Sequence, residues 1–176
     1  LDTHVHADHV TAASLLRSHP DHAQVPAVLH ALSEAARRRE DFTLAAEVLD
    51  LQVARLGDEA GTVQLWTLAE ACYRALTPAC GDAATARLRA VGEDVGNLEW
   101  MASQAQLVGG PPTNDPEAQL DRADASRALG RSGDAEQTYR RVATALPSDA
   151  RPHLGLARLA LHRGDHDEAR EQLAEA

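Results

Sequence analysis

The sequence repeats itself at a fixed spacing over its last third. Leu120 and Leu154, Ala123 and Ala157, Gly130 and Gly164, Ala135 and Ala169, and Tyr139 and Leu173 each stand 34 residues apart. A period of that length, carried by glycine, alanine and a few large apolar residues, describes one supersecondary unit that must stack on a neighbour to bury its apolar face. The first unit spans 116–149 and the second, cut short, 150–176. Ahead of them the stretch VGGPPTNDPEAQ carries Gly109, Gly110, Pro111 and Pro112. No helix interior or central strand accommodates such a run, so a linker is expected over 109–115.

Upstream, apolar residues recur at helical spacing: Val28, Leu32, Ala35 and Ala36, then Leu44, Val48, Leu51 and Leu56, then Leu65, Leu68, Ala69, Cys72 and Leu76. This predicts amphipathic helices over 23–108, paired as hairpins over 26–57 and 62–92. In the first hairpin Leu32, Ser33 and Ala36 precede Ala45 and Leu49. In the second, Trp66, Leu68, Ala69 and Cys72 lead across the GDAA stretch to Leu88 and Val91. Aromatic residues are only 3% of the chain, and the dominance of Ala, Leu and Arg suits helix packed on helix better than a strand-rich core. The expected fold class is all-α, a stack of antiparallel helical hairpins.

The C-terminal units resemble the tetratricopeptide repeat. Ala123 and Ala157 match its small position in the first helix, Gly130 and Gly164 the turn, and Ala135 and Ala169 the small position of the second helix. Tyr139 and Leu173 match the large position and Pro147 the closing proline, while Gln119 and His153 replace the usual aromatic at the fourth position. The resemblance implies an α-solenoid whose concave groove takes a peptide or a partner helix. By that correspondence the groove is lined by Glu117, Leu120, Asp124 and Arg127, and by Arg151, Leu154, Arg158 and Leu161. Its mix of apolar and Arg side chains suits an apolar segment with an acidic flank, although Asp124 and Arg127 also stand at the spacing of a local ion pair. The Lys and Asn of the chaperone-type carboxylate clamp are absent. The last unit ends within its second helix, which leaves the flank of 154–173 open to a homodimer contact.

The first residues pose a different chemistry. His4, His6, Asp8 and His9 spell His-x-His-x-Asp-His; on a strand His4 and His6 share a face, and imidazole with carboxylate suits Zn²⁺ or Fe²⁺. Residues 1–17 resemble the metal-binding motif of the metallo-β-lactamase superfamily, in its persulfide dioxygenase and glyoxalase II branch. The resemblance implies that His4 and His6 bind one metal and Asp8 and His9 a second, activating water or serving an iron-dependent oxygenase. The rest of the chain departs from that family: no alternating β-rich segments and no Gly-His turn follow the motif, and a lone strand is not stable in water. The expected organisation is therefore an N-terminal segment over 1–22 carrying a remnant of the motif. The alternatives are a metal held in a new arrangement, with His19, His22 and His30 in reach, and a metal-dependent hydrolase or dioxygenase.

Charge narrows the partners. The net charge is −10, all 17 basic residues are Arg, and no basic stripe is interleaved with aromatics, which argues against nucleic acid and anionic membranes. No apolar run is long enough to span a bilayer, and no signal peptide is evident. Cys72 and Cys80 lack CxxC spacing and are expected to be reduced packing thiols in a cytoplasmic protein. A chain opening at Leu1 rather than Met is read as a fragment or a processed product. The expectation is a non-catalytic protein-interaction or scaffold module without a cofactor.

Overall fold

The computed structural model describes residues 25–176. In them nine α-helices follow one another, and no strand occurs among the described residues. They are α1 (Val25–Arg38), α2 (Phe42–Leu56), α3 (Thr62–Arg74), α4 (Pro78–Ala90), α5 (Gly96–Gly109), α6 (Pro116–Ala128), α7 (Ser132–Ala145), α8 (Ala150–Arg163) and α9 (His166–Glu175). Each packs on its predecessor, and α3 also meets α5 while α6 meets α8, so the all-α chain winds as a solenoid of hairpins. Aspartate starts four of the helices: Asp41, Asp115, Asp149 and Asp165 accept from the backbone N–H groups of Leu44, Glu117, Arg151 and Glu168. Each thereby satisfies a donor that the first turn leaves without a partner.

One turn recurs and sets the register of the whole stack. Glu40, Leu76, Gly130 and Gly164 all adopt positive φ, between 56° and 79°. In each case the next backbone N–H reaches back to the carbonyl five residues earlier: Asp41 to Ala36 at 3.0 Å, and Thr77 to Cys72, Arg131 to Ser126 and Asp165 to Ala160 at 2.9 Å. This 6→1 bond closes the first helix of a pair and reverses the chain. Only two of the four turns carry glycine, so a glycine count finds half of them.

Measured from that turn, the same positions are small and buried in every hairpin. Seven residues before it stand Ser33, Ala69, Ala123 and Ala157; four before it stand Ala36, Cys72, Ser126 and Ala160, and none of the eight is more than 3% exposed. Five residues after it come Ala45, Gly81, Ala135 and Ala169, all buried. Small side chains at facing positions let two antiparallel helices approach closely, and larger ones would push them apart. The N-terminal hairpins α1–α2 and α3–α4 therefore obey the same rule as α6–α7 and α8–α9.

The second hairpin departs from expectation in two ways. Its turn lies at Ala75–Thr77, and the GDAA stretch falls inside α4, because the reversal is made by Leu76 in a left-handed conformation that no glycine announces. Cys72 and Cys80 are joined by a disulfide, their Cα atoms 5.7 Å apart, which corrects the expectation of two reduced thiols. The turn folds the start of α4 back onto the end of α3, so proximity comes from the hairpin and not from CxxC spacing.

Between Leu76 and Gly130 the period is broken by α5 and the irregular residues 110–115. The inner face of α5, Leu98, Met101 and Ala105, joins one core with Leu49, Leu65, Leu68, Leu88 and Leu129. Leu120, Tyr139, Val142, Leu156 and Leu159 make a second core under the last two hairpins. Gln119, in place of an aromatic, ties that irregular segment down by donating from Nε2 to the Thr113 carbonyl at 2.9 Å. The buried His153 instead meets Gln172 through Nδ1 at 3.1 Å.

Candidate protein-interaction surface

The first helices of the four hairpins, α1, α3, α6 and α8, carry the positions at which the repeat pattern places a groove. On α6 and α8 these side chains divide into three kinds. Leu120 is only 4% exposed and belongs to the core, whereas Leu154 and Leu161 stand open at 37% and 51%. Glu117 and Arg151, 34 residues apart, form a two-point ion pair at 2.5 and 2.7 Å, and Arg151 also grips Asp149 at 2.6 Å. Hydrogen bonding to both carboxylates holds the Arg151 guanidinium firmly charged, and its hydrogen bond in turn lowers Glu117 and Asp149 below the usual carboxylate range. Asp124 and Arg127 are a local pair at 3.4 Å, and Asp124 also accepts from the Tyr139 hydroxyl at 2.7 Å. Burial, then that bond, pushes the Tyr139 phenol up to about 12. Arg158 is exposed. Two of the three groove cations on α6 and α8 are thus engaged by carboxylates of the chain itself, and what remains open is an apolar strip, Leu154 and Leu161, flanked by Arg158.

A second surface was not singled out by sequence. Between α1 and α3 lies a cleft of about 240 Å³ lined by Glu34, Arg37, Arg38, Phe42, Thr67, Glu70, Ala71 and Arg74. Arg37 is paired with Glu34 at 3.0 Å. The Arg74 guanidinium lies over the Phe42 ring, 5.6 Å from its centroid, in the geometry of a cation–π contact. The available signal was positional: Arg37, Arg38 and Arg74 close the first helices of their hairpins, where cations also suit the helix dipole.

The predicted ligands His4, His6, Asp8 and His9 lie outside the described residues, as do His19 and His22. Among the described residues no group of three or more His, Cys, Asp or Glu side chains could hold a metal. No helix among them is long and apolar enough to cross a membrane.

Against known proteins, the tetratricopeptide-repeat family model matches residues 126–176. That match begins in the last turn of α6 and takes in α7, α8 and α9, whose all-α solenoid geometry agrees with it. No curated protein matches the chain. Repeats of this family serve in protein–protein interaction, and residues 126–176 are similar to them.

Proposed function

We propose that the chain is a non-catalytic interaction module that receives a peptide or a single helix along the exposed faces of its first helices. The observation that carries this reading is the open strip on α8, where Leu154 and Leu161, seven residues apart on one helical face, are 37% and 51% exposed beside Arg158. A rigid helical surface bearing spaced apolar positions matches the i, i+3, i+4, i+7 anchors of a partner helix or the alternating side chains of an extended segment. Glu117, Asp124, Arg127 and Arg151 then act by fixing the shape of the adjoining surface, since their charges are already engaged, while Leu120 holds α6 in the core.

The test is selection of a displayed random-peptide library on the intact chain, followed by binding measurements on the enriched peptides. Binding that falls at least tenfold with Leu154→Asp or Leu161→Asp, in variants with unchanged helical circular dichroism, supports the reading. Failure to enrich any peptide, or enriched peptides indifferent to both substitutions, overturns it.

A further inference from the structure

Among the described residues, the guanidinium of Arg74 stands in the α1–α3 cleft without an acceptor. Among the described residues it forms no ion pair and donates no hydrogen bond, and its Nε is buried with no partner. Arg122 and Arg127 also have a buried, partnerless Nε, but each donates through an outer nitrogen, to the Pro111 carbonyl at 2.6 Å and to Asp124 at 3.4 Å. An Nε–H withdrawn from water with nothing to accept its proton carries a desolvation cost that an acceptor would offset. Three neighbours surround the residue. Phe42 supplies a ring below it, Arg131 Nη1 donates to the Arg74 carbonyl at 2.6 Å, and Gly130 leaves open the space in which a Cβ would come within 3.2 Å of Arg74 Nη1.

We infer that the α1–α3 cleft holds a carboxylate side chain of an acidic, partly apolar peptide, received by Arg74 and Arg38 against the Phe42 ring. The inference rests on the peptide-binding reading above and names the chemistry of the partner. Three Arg and two Glu line the cleft in a chain of net charge −10, so it is a local positive site on an acidic protein. Arg37 is already paired with Glu34, leaving Arg38 and Arg74 to form the two-pronged contact that a planar carboxylate accepts. Phe42 and Ala71 supply the apolar wall for the stem of the bound residue. Glu70 opposes the ligand and limits affinity, which keeps simple anions from filling the site and favours a peptide whose neighbouring side chains add contacts.

The probe is a fluorescein-labelled peptide of alternating Glu and Leu, read by anisotropy on the intact chain, with an alternating Gln and Leu peptide as control. The expected result is binding of the acidic peptide only, weakened about tenfold or more by Arg74→Gln and by Arg38→Gln, and strengthened by Glu70→Gln. Arg38 is exposed, so its substitution leaves the fold intact should Arg74→Gln disturb the Phe42 contact. Equal binding of both peptides, or binding of the acidic peptide indifferent to Arg38 and Arg74, overturns the inference. Library peptides that bind through Leu154 and Leu161 without acidic residues would overturn it while leaving the interaction reading intact; failure of the library selection itself strikes at that reading instead.

Discussion

Replacing Gly155 by alanine sets two general effects against each other, and the structure decides the sign. Gly155 lies inside α8, where Gly→Ala ordinarily stabilises a helix by about 1 kcal/mol. Here a Cβ would stand 2.5 Å from the Cε1 and Cζ atoms of Tyr139, a ring 1% exposed whose hydroxyl is tied to Asp124 at 2.7 Å. The ring cannot swing into solvent, so relief requires α7 and α8 to separate or the hydroxyl bond to break. Overpacking of this kind costs about 1–3 kcal/mol and a charge-assisted bond about 1.5–3 kcal/mol. The net expectation is a loss of about 1 kcal/mol, lowering Tm by roughly 2–4 °C for a chain of this size. Differential scanning fluorimetry measures it, with Gly133→Ala as control, since that exposed helical glycine meets nothing within 4 Å and its substitution should raise Tm slightly. In a Tyr139→Leu background Gly155→Ala should turn neutral or stabilising, a coupling that a double-mutant cycle reads directly. A higher Tm for Gly155→Ala alone would refute the reasoning, because the tyrosine would then be yielding without cost.

Four further outcomes follow from the same geometry. Glu40 is exposed with φ at 56°, so Glu40→Gly should stabilise by about 1 kcal/mol in chemical denaturation. Reducing the Cys72–Cys80 disulfide, which closes a loop of sequence separation 8, should cost about 2.5 kcal/mol by the loop-entropy estimate, seen as a lower Tm with reductant that is absent in a Cys72→Ala, Cys80→Ala variant. The Tyr139 phenol is pushed up to about 12 in the folded state, against about 10 unfolded. Its contribution to stability is therefore whole below pH 10 and lost as pH rises toward 12, a decline that Tyr139→Phe should shorten. Peptide binding through α8 should survive chelation; metal analysis finding stoichiometric zinc or iron, lost with His4→Ala and His6→Ala, would instead make the N-terminal motif a working site.

What could be read from the residues was the class of fold and the register of its last two hairpins, because Gly130, Gly164 and the paired alanines repeat at an undisturbed 34-residue spacing. The same register runs through Ser33, Ala36 and Ala45 and through Ala69, Cys72 and Gly81, but there the turn residue is Glu40 or Leu76. A left-handed turn built on a non-glycine residue leaves no mark in composition, so the second turn was expected at GDAA and the disulfide was not foreseen. Among the groove positions, sequence spacing gives the helical face and the local Asp124–Arg127 pair but not the pair between units. Arg151 and Glu117 belong to different units and meet only because one hairpin stacks on the next, and Leu120 is buried while its periodic counterpart Leu154 is open. The α1–α3 cleft was illegible for a related reason: it joins side chains from two hairpins with the Phe42 ring.

The insertion of α5 between the second and third hairpins explains why the stack stays continuous although its period does not. An added helix without compensation would carry the third turn away from the second. Instead Arg131 donates across to the Arg74 carbonyl, and Gly130 lies close enough that a Cβ there would contact the Arg74 guanidinium. The turn edge is thus joined directly while α5 fills the layer behind it with Leu98, Met101 and Ala105. Gly130 meets two demands at this point, a φ of +73° and clearance for Arg74, whereas Gly164, at +79° with open space around it, meets only the first. Gly130→Ala should therefore cost more than Gly164→Ala and, unlike it, should weaken acidic-peptide binding, since displacing Arg74 alters the cleft while straining the turn of the last hairpin does not.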